Sequence, residues 1–343
     1  MPTTVTRYLA SSLVLALLGL VMPAQAQGSD ELFRGKTITL VIGFGPGGSY
    51  DFYGRALARH IGRHLPGSPA VVAQNMPGAG SLTAANYLFN VAPKDGSAIG
   101  IVSQTMAIEA ARKAPGVNYK VEEFNWIGRV TPIVEVTISW HASPVKRIED
   151  ATAHETPIAS TGPGSPSEAY PKLMNAIAGA RFRIVGGYPG ANDAMMALER
   201  GEVDAAGTAW NTLRVTKQDW MADRKINILV QYALMRSPEM PEVPTLVEIG
   251  KTESDKALLS FYVSSAEVGR SFMAPPGIAP DRVGALRRAF DAAMADPQLR
   301  SELERSRADF GPMTGERLQE LMIQTARVSP AVIDRMRTIL EAR

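Results

Sequence analysis

The chain has 343 residues, a formal charge of +2 at pH 7, an apolar fraction of 45% and no cysteine. Disulfides, thiolate metal sites and a thiol nucleophile are therefore excluded. Positive charge is scattered, with no basic run interleaved with aromatic residues, which speaks against a nucleic-acid partner.

At the amino terminus Arg7 precedes an apolar stretch over residues 9–22, followed by the small-residue site Ala24-Gln25-Ala26. This is the pattern of a signal peptide. The stretch is about 14 residues long where about 20 span a bilayer, so cleavage after Ala26 is expected in place of an uncleaved anchor. Without cysteine a lipid anchor is not expected either. Removal of the signal leaves roughly 317 residues, above the size at which a single core stops growing, so two lobes are expected.

Residues 37–42 alternate and are rich in β-branched residues, then break into Gly43-Phe44-Gly45-Pro46-Gly47-Gly48. From Asp51 the period changes to 3.6, which predicts a helix over 51–64 ended by Pro66-Gly67. A strand at 70–73 then meets the loop Asn75-Met76-Pro77-Gly78-Ala79-Gly80-Ser81, and a helix follows through Ala84, Ala85 and Leu88. A third strand at 98–102 leads into Ser103-Gln104-Thr105, completing a βαβαβ series that favours a parallel sheet.

Strand character at 126–129 and 134–140 carries the chain across to the second lobe, where the same grammar returns. A strand at 157–160 runs into Thr161-Gly162-Pro163-Gly164-Ser165-Pro166-Ser167 and a helix to about 178. A strand at 182–185 meets Gly186-Gly187-Tyr188-Pro189-Gly190 and a helix closed by Gly201; strands at 205–207 and 226–231 come next. The Pro-rich segment 238–244 reads as the return crossing, and the helical tail from 280 is expected to pack on the first lobe. The expected organisation is a signal peptide at 1–26, lobe 1 from 27–130 with 256–343, and lobe 2 from 131–255. Its fold class is α/β, each lobe a mostly parallel sheet flanked by helices.

Loops that follow a strand and open a helix place free N–H groups and the positive end of a helix dipole at the sheet edge, where an anion fits. Gly45, Gly47 and Gly48 would let a ligand approach the backbone, although glycines also serve simply to make tight βα turns. Four such loops across two lobes favour the binding reading.

Competing chemistries fail on particular residues. Gly43 to Gly48 matches G-x-G-x-x-G, but no acidic residue ends the second strand in Val71-Val72-Ala73-Gln74-Asn75, against a dinucleotide enzyme. His60 and His64 lack the Glu of a zinc-protease helix, since residue 61 is Ile, and read as a solvated helix face. His141 and His154 lie near no nucleophile signature, and Ser165 does not sit in G-x-S-x-G. No catalytic residue, metal or cofactor is therefore expected. Asp51 either caps and braces the first helix or also holds a water or a protonated ligand group.

The chain resembles the periplasmic substrate-binding proteins of tripartite tricarboxylate transporters, the Bug or TctC-type receptors, over about 32–329. Where the family reads F-A-P-G-G-G-T-D-x-x-A-R, this chain has Phe44-Gly45-Pro46-Gly47-Gly48-Ser49-Tyr50-Asp51 with Arg55 in place. Asn75 to Ser81 resembles N-x-P-G-A-G-G, Ala92-Pro93-Lys94-Asp95-Gly96 resembles A-P-D-G, and Ser160 to Ser165 resembles S-S-G-x-G-S. Tyr188-Pro189-Gly190 is similar to Y-K-G, Gly201-Glu202-Val203-Asp204 to G-Q-V-D, and Pro241-Glu242-Val243-Pro244-Thr245 to L-P-D-V-P-T.

This resemblance implies a two-lobe flytrap fold in the periplasm. It implies a small organic carboxylate held largely by backbone amides, hydroxyls and ordered waters, salt bridges not being the usual device, and the loops above contain no Arg or Lys. The implied contacts are Phe44, Gly47, Gly48, Ser49 and Asp51, then Ala79 and Gly80, then Ser103, Gln104 and Thr105. From the opposing lobe they are Ser160, Thr161, Ser165, Tyr188, Gly190 and Ala191, with Asp204 a neighbour. Tyr50, Ser49 and Ser81 depart from the family by adding bulk, and Tyr50 with Trp210 would wall an aromatic acid unless both rings belong to the core or rim. The implied protein is a monomer that delivers its ligand to membrane permease subunits; presentation to a membrane signalling partner is the alternative.

Overall fold

A computed structural model describes residues 32–325 and 328–342, so the predicted signal peptide and its cleavage site lie outside the described residues. Strands β1 (Thr37–Ile42), β2 (Ala70–Asn75), β3 (Ala98–Ile101) and β4 (Asn125–Arg129) start a first sheet. A second sheet holds β5 (Glu135–Trp140), β6 (Thr156–Ala159), β7 (Phe182–Val185), β8 (Ala205–Ala209) and β9 (Ile226–Tyr232). Then β10 (Ser271–Ala274) and β11 (Met313–Thr314) return to the first, giving the orders β11-β4-β10-β3-β1-β2 and β7-β6-β8-β5-β9.

The expected two-lobe α/β fold is present, and both sheets are mixed. Pairing is parallel for β1 with β2 and β3, and for β6 with β7 and β8. The strands that carry the chain between lobes pair antiparallel: β10 with β3 and β4, and β5 with β8 and β9. A strand arriving from the other lobe needs no crossover helix, so nothing forces it to run parallel.

Helices α1 (Ser49–Ile61), α2 (Leu82–Asn90) and α3 (Met106–Ala111) follow the strands of the first lobe. Those of the second are α4 (Pro166–Ala178), α5 (Ala191–Glu199), α6 (Trp210–Thr216), α7 (Gln218–Ala222) and α8 (Glu253–Val263). The tail forms α9 (Pro280–Ala295), α10 (Pro297–Arg305), α11 (Gly315–Thr325) and α12 (Pro330–Glu341). Among the described residues no helix is long and apolar enough to cross a membrane.

Three expectations need correction. The Pro-rich segment stays in the second lobe, because Gln231 Nε2 donates to the carbonyls of Met240 and Val243 and both side chains are buried there. The return crossing instead lies after α8, where Ile133 N donates to Ala266 O, Val130 N to Arg270 O and Arg270 N to Thr131 O. Gly269 is required at this pairing: its φ is +54°, and a Cβ there would lie 2.0 Å from Thr131 O. The tail is shared between lobes: α9 and α10 pack on the first, whereas Met336 and Leu340 of α12 join Leu173 and Tyr262 in the second, as does α8. Finally, His60 is no solvated face; it is buried, with Nε2 2.8 Å from Glu302, while His64 Nε2 lies 3.0 Å from Asp296. Acidic residues of the tail thereby fix α1.

Candidate ligand-binding site

The carboxyl ends of β1 and β3 and the starts of α1, α4 and α5 converge on the cleft between the lobes. The loop after β1 reaches α1 through Gly48, which is extended and offers no side-chain cap, leaving first-turn amides without an intrahelical partner. Asp51 braces this loop by accepting from Gly47 N (3.1 Å), Arg55 Nε (2.8 Å) and Asn75 Nδ2 (2.8 Å). Asn75 Nδ2 also donates to Phe44 O at 2.9 Å, so β2 and the first loop are tied together.

Behind the loop, Phe44 stacks on Tyr50 at 4.4 Å, and the Arg270 guanidinium lies over the Tyr50 ring, 3.8 Å from its centroid. Arg270 is 1% exposed. Its Nε and Nη2 donate to Ser49 Oγ at 3.1 and 2.6 Å, and its Nη1 to Gln104 Oε1 at 2.9 Å. Tyr50 OH donates to the same Gln104 oxygen and accepts from Gln104 N.

A cavity of about 60 Å³ opens beside this group. The first lobe lines it with Phe44, Gly48, Ser49, Tyr50 and Arg270; the second contributes its sheet through Glu135, Thr137, Gly207, Thr208 and Ala209. Register explains the second wall, since Glu135 of β5 pairs with Ala209 on one side and Tyr232 on the other. Tyr170 of α4 stacks on Tyr232 with centroids 3.5 Å apart, and the hydroxyls of Thr137 and Tyr232 are bonded. Both rings line the cavity, and burial pushes both phenols up, so they stay neutral.

Glu135 is buried at 9% exposure, and desolvation pushes its carboxyl up to about 7 against the pull of Arg270. Its Oε2, the Tyr170 hydroxyl and the Thr208 hydroxyl are buried without a hydrogen-bond partner. Buried polar atoms are ordinarily paired. Three unpaired atoms on residues lining one cavity mark it as built to receive polar groups. Among the described residues no group of three His, Asp or Glu could hold a metal ion.

Of the positions inferred from sequence, Phe44, Gly48, Ser49, Tyr50, Thr161 and Ala191 line this cavity. Gly47 lines a smaller neighbour with Asn211 and Thr212. Others join the lobes around it: Gly80 N donates to Thr161 O (3.1 Å), Gly45 N to Pro189 O (2.9 Å) and Thr105 Oγ1 to Gly164 O (2.8 Å). A Cβ on Gly190 would sit 3.2 Å from Gly45 N, so Gly190 is part of that seam, as is Ala79 against Gly162. Gln104 supports Tyr50 and Arg270 from behind, and Ser103 is bonded to Thr105.

Ser160 Oγ accepts from Gly162 N and donates to Glu168 Oε2 of α4, and Ser165 Oγ donates to Gly162 O. Tyr188 packs beside the second-lobe core, and Asp204 N donates to Pro157 O; neither lines the cavity. Trp210 bonds Glu239 outside it, so the second aromatic wall comes from Tyr170 and Tyr232 instead. The cavity also carries two charged side chains from outside the predicted loops, Arg270 and Glu135. Glu135 is a lone ionic residue in the strand-like run Val134-Glu135-Val136, which was the available signal, whereas Arg270, between Gly269 and Ser271, carries none.

Residues 54–338 match the family described as the tripartite tricarboxylate transporter family receptor. A relative from Cupriavidus necator, the UPF0065 protein in the gbd 5' region, is 28% identical over 335 residues, covering 94% of this chain and 93% of its own. The periplasmic binding protein BugD has a TM-score of 0.71 at 22% identity, over 90% of this chain and 98% of its own. MatC from Rhodopseudomonas palustris, solved with bound malate, gives 0.69 at 22% identity over 90% and 100%.

Proposed function

The chain belongs to the family of tripartite tricarboxylate transporter receptors, and on that footing we propose that it captures one small organic carboxylate between its lobes and delivers it to the membrane subunits of such a transporter. It is a binding protein of the periplasmic two-lobe class. That it acts in the periplasm after loss of its signal peptide, as a monomer and without turning its ligand over, belongs to the proposal. The malate held by MatC supports a small acid as the class of ligand.

The observation that carries this reading is the cavity enclosed by both lobes, with a buried guanidinium and unpaired hydroxyls on its walls. A ligand there touches Ser49 and Arg270 on one side and Thr208 and Tyr170 on the other. It therefore binds the closed arrangement better than an open one, and closure is its signal to the partner. The seam bonds from Gly45, Gly80 and Thr105 form only when the lobes meet, so they add to closure without contacting the ligand.

The test is a thermal-shift screen of the purified protein with aliphatic and aromatic mono-, di- and tricarboxylates, followed by calorimetry of every hit. One-to-one binding of an acid supports the proposal. Stabilisation only by uncharged solutes would refute it.

A further inference from the structure

We infer that the cavity selects a small amphoteric acid, its carboxylate directed to Arg270 and a protonated amine directed to Glu135; this rests on the solute-binding reading above. Among the described residues Arg270 makes no ion pair with any carboxylate, and Glu135 none with any base, within 4.0 Å. Both nevertheless line the same cavity and feel each other's charge. A buried guanidinium and a buried carboxyl that line one cavity without pairing with each other, the Gln104 side chain lying beside both, form a site for a ligand carrying both complements.

The donor inventory fits. Arg270 commits one N–H each from Nε, Nη1 and Nη2, which leaves a further N–H on each terminal nitrogen for a carboxylate. On the other side Glu135 Oε2 has no partner, and an ammonium supplies the donor it lacks. The hydroxyls of Tyr170 and Thr208 can each donate or accept and so serve either end. A plain carboxylate would pair Arg270 but leave Glu135 unpaired and, once ionised, repelled by the ligand.

Besides burial, Arg270 and the Gln104 side-chain amide act on the Glu135 carboxyl, both favouring its ionised form. Arg270 at β10, Tyr50 of α1, Tyr170 of α4, Tyr232 of β9 and Tyr262 of α8 are those electrostatically coupled to it, and burial holds the tyrosines neutral. Arg270 is the one charge among them. Ionisation of Glu135 near neutral pH therefore raises affinity for an amine-bearing acid and lowers it for the same acid without the amine.

The experiment is calorimetric titration at pH 6 and pH 8 with L-alanine against propionate, L-aspartate against succinate, and L-glutamate against glutarate. These amines stay protonated throughout. Wild type is expected to prefer the amino acid by at least about tenfold in the best-bound pair at pH 8, and by less at pH 6. The Glu135→Gln variant is expected to bring that pair within about threefold. Equal or tighter binding of the deaminated partner by wild type, or full preference retained in Glu135→Gln, would overturn the inference. The pH comparison on wild type stands even if the variant fails to fold. If none of the six bound while another acid of the broader screen did, or if both members of every pair bound equally, the amphoteric preference alone would fall; the solute-binding reading would fall only if that whole screen were negative.

Discussion

The Arg270 guanidinium lies over the Tyr50 ring, 3.8 Å from its centroid, and through Ser49 Oγ grips the first turn of α1. Because Arg270 stands on the return crossing, paired to Thr131 on the outward one, the segments that connect the lobes are tied to the cavity wall. Lysine cannot reproduce this planar, multiply bonded contact. Arg270→Lys is therefore expected to lower stability by about 1–3 kcal/mol through the bonds left unmade, and to weaken acid binding at least about tenfold. Denaturant unfolding and calorimetry check the two effects separately.

Glu135 gives the fold a pH signature of its own. Its carboxyl rises from 4.5 to about 7 on folding, so the folded state favours the protonated form. The stabilising effect is complete below the unfolded value and is lost as pH rises to about 7. The difference corresponds to about 3 kcal/mol. Glu135→Gln, neutral at every pH, is expected to be more stable than wild type at pH 8 and to lose that advantage near pH 4.5. Unfolding curves of both proteins at the two pH values decide it.

Gly80 separates closure from folding. Its φ is +61°, and a Cβ would lie 2.5 Å from Ser165 N and 2.6 Å from Pro163 O, both across the seam. Gly80→Ala should cost about 1 kcal/mol for the backbone conformation itself. Its larger effect is expected on ligand affinity, because the clash exists only when the lobes meet. X-ray scattering with a saturating acid should show wild type contracting and Gly80→Ala remaining extended.

Asp51 acts through the loop it braces. Removing its carboxylate leaves Gly47 N, Arg55 and Asn75 without their shared acceptor. Asp51→Ala is expected to lower stability by about 1–3 kcal/mol and to weaken binding by loosening Phe44 to Ser49. Asp51→Asn, which still accepts one or two of these bonds, should fall between it and wild type in the same melting and titration measurements.

The sequence made the scaffold readable where local chemistry decides local structure. β-branched runs breaking into glycine mark the strand ends and helix starts that meet at the cleft, and Phe44, Ser49 and Tyr50 are found because they sit on such a loop. Arg270 and Glu135 are not, because their importance depends on what faces them. Glu135 faces the cavity through its register with Ala209 and Tyr232, and Arg270 meets Ser49 across 221 positions of chain. The Pro-rich segment misled for the opposite reason: its composition resembles a linker, yet Gln231 anchors it to β9. Gly80 and Thr105, contacts that the family resemblance implies, are bonded in this structure to the opposing lobe's loop, a pairing that depends on how the lobes meet and that no local pattern shows.

The most direct measurement is native mass spectrometry of the mature protein as purified, followed by release and identification of any small molecule retained. One carboxylate per chain, exchangeable for an added acid with contraction of the protein in solution, is the expected result. A protein that retains no acid, binds none from a broad panel and keeps the same scattering profile throughout would contradict capture of an acid between the lobes.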